Sequence, residues 1–338
     1  MFVPTRGGDL SNLPHRSERV LFAGYYFNHY GHFITESLAR LWALDQCGNV
    51  DKIIFVMGGV VPGQLRDGVI KTIIPENAPE IEIVEQACSF DEIIVPQSGF
   101  VIRKSFNENY WKWLRKLSAD IMESDQHNSI DTPLYLSRSA TPETRRYAYG
   151  EKELEAGLKK AGIRVVQPEK LSFSDQVKIV SEHKTVIGLE GSQLHSLLFT
   201  MGKKKSIQLD FRKVNPNYLL IDDMLGNEKH YPLLQLPEQY QKFILGRDND
   251  EPYIFDPQKA AEAIGSALGI KIVAPELTQD TKKAFAASWI NWWTRSAYNA
   301  LTKSPMAKPL SAWGSPPRIW GLTGEQHRSN VACLLAAI

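Results

Sequence analysis

The sequence predicts an α/β protein built from two doubly wound parallel sheets. Three observations carry this. Short apolar strands alternate with helical segments from residue 20 onward. Those strands are near-continuous apolar runs, the pattern of strands covered on both faces. A polar stretch, "SDQHNSIDTP" (124–133), interrupts the series, and the alternation then restarts. With 338 residues the chain is long enough to fill two cores. The expected division is a first doubly wound unit over residues 1–128, a second over 129–260, and a helical extension over 261–338.

In the first half, "VLFAG" reads as a strand, residues 29 to 47 as a helix stopped by Gly48, and "KIIFVMG" as a second strand. A helix in "GQLRDGVIKTII", short strands in "IEIVE" and "EIIVP", and a longer helix in "NENYWKWLRKLSADIMES" complete it. The second half runs through strand "LYLSR", helix "EKELEAGLKKAG", strand "IRVV", helix "SFSDQVKIVSEHK", strand "TVIGL", helix "GSQLHSLLFTMG" and strand "KSIQLD". Ser172 followed by Asp175 is a helix-start signal, and Gly162 and Gly202 stand where helices end. In "KKAFAASWINWWTRSAYNALTK" (282–303), Phe285, Trp289 and Trp292 share one helical stripe with lysines and arginine around it. Two readings suit that stripe: a terminal helix packing back on the protein, or a surface helix resting on an anionic membrane.

The charge balance, 39 Lys and Arg against 38 Asp and Glu, removes the broad electrostatic case for a nucleic-acid partner. Cys47, Cys88 and Cys333 are scattered and odd in number, so neither a disulfide framework nor a zinc module is expected. No leader pattern and no apolar run of about 18 residues is found. The expectation is therefore a cytoplasmic protein, at most peripheral on the inner face of a membrane.

Chemistry concentrates in three stretches. In "NHYGHFITESLARLW" (28–42), Ile34, Leu38 and Leu41 mark a buried helix face, while His29, His32, Glu36 and Arg40 form a second stripe. That helix follows the first strand, so its start should lie where a doubly wound sheet gathers ligands. His32 with Glu36 at i+4 can serve as a general base with an orienting neighbour. A merely hydrogen-bonded histidine, or a metal held by His29, His32 and Glu36, are the other readings of the same residues.

"YLSRSATPETRR" (135–146) places Ser137 and Arg138 at a strand's carboxyl end, with Arg145 and Arg146 just beyond. Guanidinium groups there suit a phosphate or diphosphate, and surface arginines are the plain alternative. In "VIGLEGSQLHSLLF" (186–199) a buried strand turns through Glu190, Gly191 and Ser192 into a helix, whose N–H groups can face phosphate oxygens. Glu190 can accept from sugar hydroxyls or act as a first-turn acid, and His195 can donate to phosphate or sit satisfied in the core. Neither a Walker loop nor a dinucleotide fingerprint is present.

Taken together and in this order, the three stretches resemble the motifs of glycosyltransferase family 61, especially its bacterial polysaccharide-biosynthesis members, from about Val20 to Asp210. The resemblance implies a GT-B fold, two Rossmann-like doubly wound domains facing across a cleft, acceptor on the first and nucleotide-sugar on the second. It implies an inverting transfer to an oligosaccharide or lipid-linked saccharide, with His32 or Glu36 as base and His29 and Arg40 near the acceptor. On the donor side it implies Ser137, Arg138, Arg145, Arg146, Glu190, Gly191, Ser192 and His195. With that much positive charge no metal or other cofactor is expected. Glu190 departs from the family pattern, since many members carry a histidine there.

Overall fold

The computed structural model describes residues 12–27, 29–57, 64–74, 77–122, 129–140, 147–211, 213–240 and 251–302. Among these, the first half holds strands β1 (His15–Tyr26), β2 (Lys52–Met57), β3 (Glu80–Val84) and β4 (Ser89–Ile94). They form one wholly parallel sheet in the order β3-β2-β1-β4. Between β1 and β2 the chain makes a turn of α-helix, α1 (Tyr30–His32), then a π-turn (Phe33–Ser37) and a 3-10 run (Leu38–Asp45). Helix α2 (Gln64–Ile73) follows β2, and a small antiparallel pair, β5 (Phe100–Val101) and β6 (Ser105–Phe106), leads into α3 (Glu108–Met122).

The second half carries β7 (Leu134–Leu136), β8 (Ala148–Tyr149), α4 (Glu151–Lys160), β9 (Arg164–Val166), α5 (Phe173–Glu182), β10 (Thr185–Leu189), β11 (Lys205–Leu209), α6 (Pro216–Leu225) and β12 (Glu228–His230). Its main sheet is parallel throughout, ordered β12-β11-β10-β7-β9. Counted within this sheet, that is a 2-1-3-4-5 winding, which reverses direction between β7 and β10. The first sheet reverses between β1 and β4. Beyond β12, β13 (Tyr253–Ile254) pairs with β8, and α7 (Pro257–Leu268) and α8 (Gln279–Thr302) close the described chain. The α/β class with parallel sheets is thus as the alternation predicts.

The period-two rule explains how the second sheet is covered. Leu134, Leu136 and Val186 face one buried cluster, while Tyr135, Ile187 and Leu189 face another with α4 and α7. The first of these clusters does not stop at the sheet. It continues without a break through Phe33, Ile34, Leu38 and Leu41 to Leu21 and Phe55 of the first sheet. Helices α2 and α3 pack on α5, and α3 also packs on the turn after β10.

Two segments depart from the expected continuous helices. Residues 29–47 change helical geometry twice, and at the first change Thr35 donates to the Gly31 carbonyl, one turn back, at 2.9 Å. Such side-chain competition for backbone acceptors loosens and bends a helix. Residues 192–199 form a 3-10 run, ended where Thr200 Oγ1 donates to the Leu197 carbonyl. The Ser172 start signal holds: its hydroxyl accepts from the Asp175 N–H at the head of α5.

The tryptophan stripe of α8 faces inward. Phe285 is fully buried, Trp289 and Trp292 nearly so, against Tyr147, Tyr149 and Tyr240. This corrects the membrane reading of residues 282–303 on its main point, because an aromatic face spent on the protein interior cannot also enter a bilayer. Among the described residues no helix is long and apolar enough to cross a membrane.

Candidate active site

The carboxyl ends of β1 and β10 meet. After β1, Ser37 reaches back to the strand, accepting from the Phe27 N–H at 3.1 Å and donating to Tyr25, which fixes how the chain enters α1. Gly31 then lies directly on the turn that follows β10. A Cβ on Gly31 would come within 3.0 Å of the His195 ring and 3.2 Å of Ser192 Cβ, so glycine is what permits this approach. One residue earlier the Tyr30 hydroxyl is hydrogen-bonded to that of Ser196 at 3.1 Å. The first and third sequence stretches, about 160 residues apart in the chain, therefore form one wall.

On this wall His32 is exposed and its Nδ1 contacts the Glu36 carboxylate. The ring lies edge-on to His29, with centroids 5.4 Å apart, and beside Phe27. An Nδ1–H donated to a carboxylate leaves Nε2 as the proton acceptor, the arrangement that orients a catalytic base. Arg40 sits slightly apart, at the reversal between β1 and β4, donating from Nε to the Pro96 carbonyl at 3.1 Å. Burial lowers its pKa, opposed by the charge of Glu36.

His195 is buried, and its Nδ1 lies 3.1 Å from the Ser192 carbonyl. A carbonyl only accepts, so Nδ1 carries the proton. Burial pushes the ring pKa down to about 4, helped by the charges of His29 and His32 and opposed by the Ser192 bond. With Nδ1 donating to Ser192, the neutral ring presents Nε2 as an acceptor, which differs from the expected donor to phosphate. The ring packs directly against Gly31 of the first motif.

A stability consequence follows from this shift. The unfolded ring titrates near 6.5 and the folded one near 4, so below pH 6.5 only the unfolded chain takes up the proton. The stabilisation is fully present above pH 6.5 and is lost as pH falls toward 4. Unfolding of wild type and His195→Gln in urea, at pH 7.5 and 4.5, should show the stability difference changing by roughly 2 kcal/mol, against wild type at the lower pH. An unchanged difference would mean the ring is solvated.

The second stretch reaches the same place from β7. Arg138 Nη1 donates to the Glu190 carbonyl at 2.9 Å and crosses Gly191, where a Cβ would stand 3.0 Å from that nitrogen. Gln193 closes the turn from below, donating to the Leu189 carbonyl at 2.7 Å. Ser192 is half-buried at the head of the 3-10 run. The Glu190 carboxylate accepts from Asn215 Nδ2 at 3.3 Å. Ser137 differs from expectation: it is wholly buried and gives its hydroxyl to Glu155 at 2.5 Å, so it holds the loop and does not face a ligand. Arg145 and Arg146 lie outside the described residues.

Sequence reasoning missed Tyr30 and Ser196, which join the two stretches, and Glu151 and Glu155, which lie behind Arg138. The two glutamates are spaced i, i+4 in a lysine-rich segment, the pattern of an exposed helix face, and nothing local distinguishes them. Among the described residues no group of three His, Cys, Asp or Glu side chains is placed to hold a metal ion, so His29, His32 and Glu36 do not converge as that reading required.

Two parallel doubly wound sheets bring a histidine–carboxylate pair and an arginine laid over a strand-to-turn glycine to the carboxyl ends of strands, where such sheets gather ligands. The chain belongs to glycosyltransferase family 61: the family model described as Glycosyltransferase 61 matches residues 30–207. That match covers the second and third motif-bearing segments and the first from Tyr30 onward. Among solved structures, E. coli heptosyltransferase WaaC with ADP is similar with a TM-score of 0.29 and 11% identity, over 65% of this chain and 93% of that one. No curated protein matches the sequence.

Proposed function

We propose that this glycosyltransferase moves a sugar, with inversion, from a nucleotide-sugar to a hydroxyl of an oligosaccharide or lipid-linked saccharide, in the cytoplasmic building of a surface or capsular polysaccharide. The polysaccharide setting follows the bacterial members that the three motifs resemble. The observation that carries the reading is the seat of Gly31 on Ser192 and His195, which sets the His32–Glu36 pair beside the Gly191 turn and Arg138. We place the two sheets as the halves of a GT-B arrangement, the acceptor on the first and the donor on the second.

In this mechanism Glu36 holds the His32 tautomer, and Nε2 takes the acceptor hydroxyl proton as its oxygen bonds to the anomeric carbon. The bond from that carbon to the diphosphate breaks on the opposite face, and the electron pair leaves with the nucleotide. Arg138, the backbone N–H groups around Gly191 and Ser192, and Arg145 and Arg146 balance the departing charge. Because guanidinium groups supply that compensation, no metal is required. His29 lines the acceptor side, and Glu190 accepts from donor hydroxyls.

A thermal-shift series with nucleoside diphosphates tests the donor half. One base should raise the wild-type melting temperature, by the equivalent of about 2.7 kcal/mol at a hundredfold excess over Kd, and leave Arg138→Ala unmoved. Equal shifts in both proteins would remove Arg138 from the donor site. A protein that binds nucleotide and folds normally, yet turns over no acceptor, would favour a non-catalytic binding role instead.

A further inference from the structure

We infer that Glu151 is a positioning residue for the donor site: its buried carboxylate fixes the backbone of Arg138 and, through it, the guanidinium that crosses Gly191. This rests on reading Arg138 as a diphosphate ligand. Glu151 is the first residue of α4 and is 2% exposed. Its Oε1 accepts from the Arg138 N–H at 3.0 Å and from the Tyr135 hydroxyl at 2.9 Å. Tyr135 is itself fully buried in β7, so the carboxylate is braced from behind while it holds the loop in front.

The neighbouring contacts share this purpose. One helical turn on, Glu155 accepts from Ser137, and its other oxygen meets Lys159 Nζ at 3.0 Å. The Ser139 N–H donates to the Ser137 hydroxyl at 3.0 Å, and Gln167 donates to that of Ser139 at 3.1 Å. Residues 137, 138 and 139 are thus each tied by a side chain, two of them to α4. Burying a carboxylate costs stability that an apolar side chain of similar shape would not, and that burial pushes Glu151 up to about 7. What an apolar residue could not do is accept the N–H of Arg138. The bond is made to the backbone, which leaves the arginine's own side chain to reach forward to the Glu190 carbonyl. Holding a ligand-binding group to a fraction of an ångström by a supporting hydrogen bond is what separates a formed site from a loose one.

Calorimetric titration with the nucleoside diphosphates UDP, GDP, ADP and CDP tests the inference, with melting temperatures recorded for every variant. Glu151→Ala removes the acceptor and should weaken the tightest diphosphate about tenfold. Glu151→Gln keeps a carbonyl oxygen in the same place and should restore binding to within about twofold. Tyr135→Phe removes the brace but not the bond to Arg138, and should weaken binding less than Glu151→Ala. Glu151→Asp, which keeps the charge but withdraws the oxygen by one methylene, serves if the alanine variant does not fold, and should weaken binding several-fold. Arg138→Ala runs in parallel. If it loses binding while folded Glu151→Ala or Glu151→Asp binds as wild type, the positioning role is overturned and the donor reading stands. If Arg138→Ala itself binds as wild type, the donor reading fails and this inference fails with it.

Discussion

His32→Ala is expected to lower kcat/KM by roughly 10²- to 10⁴-fold while leaving nucleotide affinity unchanged. The imidazole stands on the β1 side of the wall, exposed, with Glu36 on Nδ1, whereas the contacts assigned to the diphosphate come from β7 and β10. A base acts only as the proton moves, so its loss falls on kcat and not on donor binding. Glu36→Gln should give a smaller loss, because the amide still fills the place beside Nδ1 but no longer favours the cation that forms on proton transfer. Steady-state kinetics with a nucleotide-binding titration checks both. An equal loss of nucleotide affinity in His32→Ala would move His32 to the donor side and leave the base unidentified.

Gly31→Val is the second large effect. A Cβ there already presses on the His195 ring and Ser192, and the two added methyl groups have nowhere to go without parting the motifs. Displacing the base from the acceptor hydroxyl by about 1 Å costs on the order of 10² in rate. The expected result is a kcat about 100-fold lower with a folded protein that still binds nucleotide. Gly31→Ala should lie between, since His195 and Ser192 need yield only a few tenths of an ångström. Wild-type turnover by Gly31→Val would show that the two strand ends do not form one catalytic site.

Much of this was legible in the chain. Continuous apolar strands such as "TVIGL" and "KIIFVM" forced a parallel sheet, and the order of three motifs carried the family. His32 and Glu36 are in contact as their i, i+4 spacing required, even though the intervening backbone is a π-turn. What the sequence hid was long-range. Nothing near Gly31 says that His195 lies over it, and nothing in "EKELEAGLKK" says that all three of its glutamates are buried. The aromatic stripe of α8 was readable as a stripe, but its direction depended on Tyr147, Tyr149 and Tyr240, far away in sequence. Periodicity reports that a face is apolar and is silent about what covers it.

The unbroken apolar cluster between the two sheets bears on how such an enzyme can diversify. Leu134, Leu136 and Val186 on one side and Phe33, Ile34 and Leu38 on the other are a single interior, so neither half has a finished surface of its own there. Exchanging one half for that of a relative would pair mismatched shapes at the place where the ends of β1 and β10 meet. New donors and acceptors are more easily reached by rewriting the strand-end loops and keeping the interior, so the two halves would tend to be inherited as a pair.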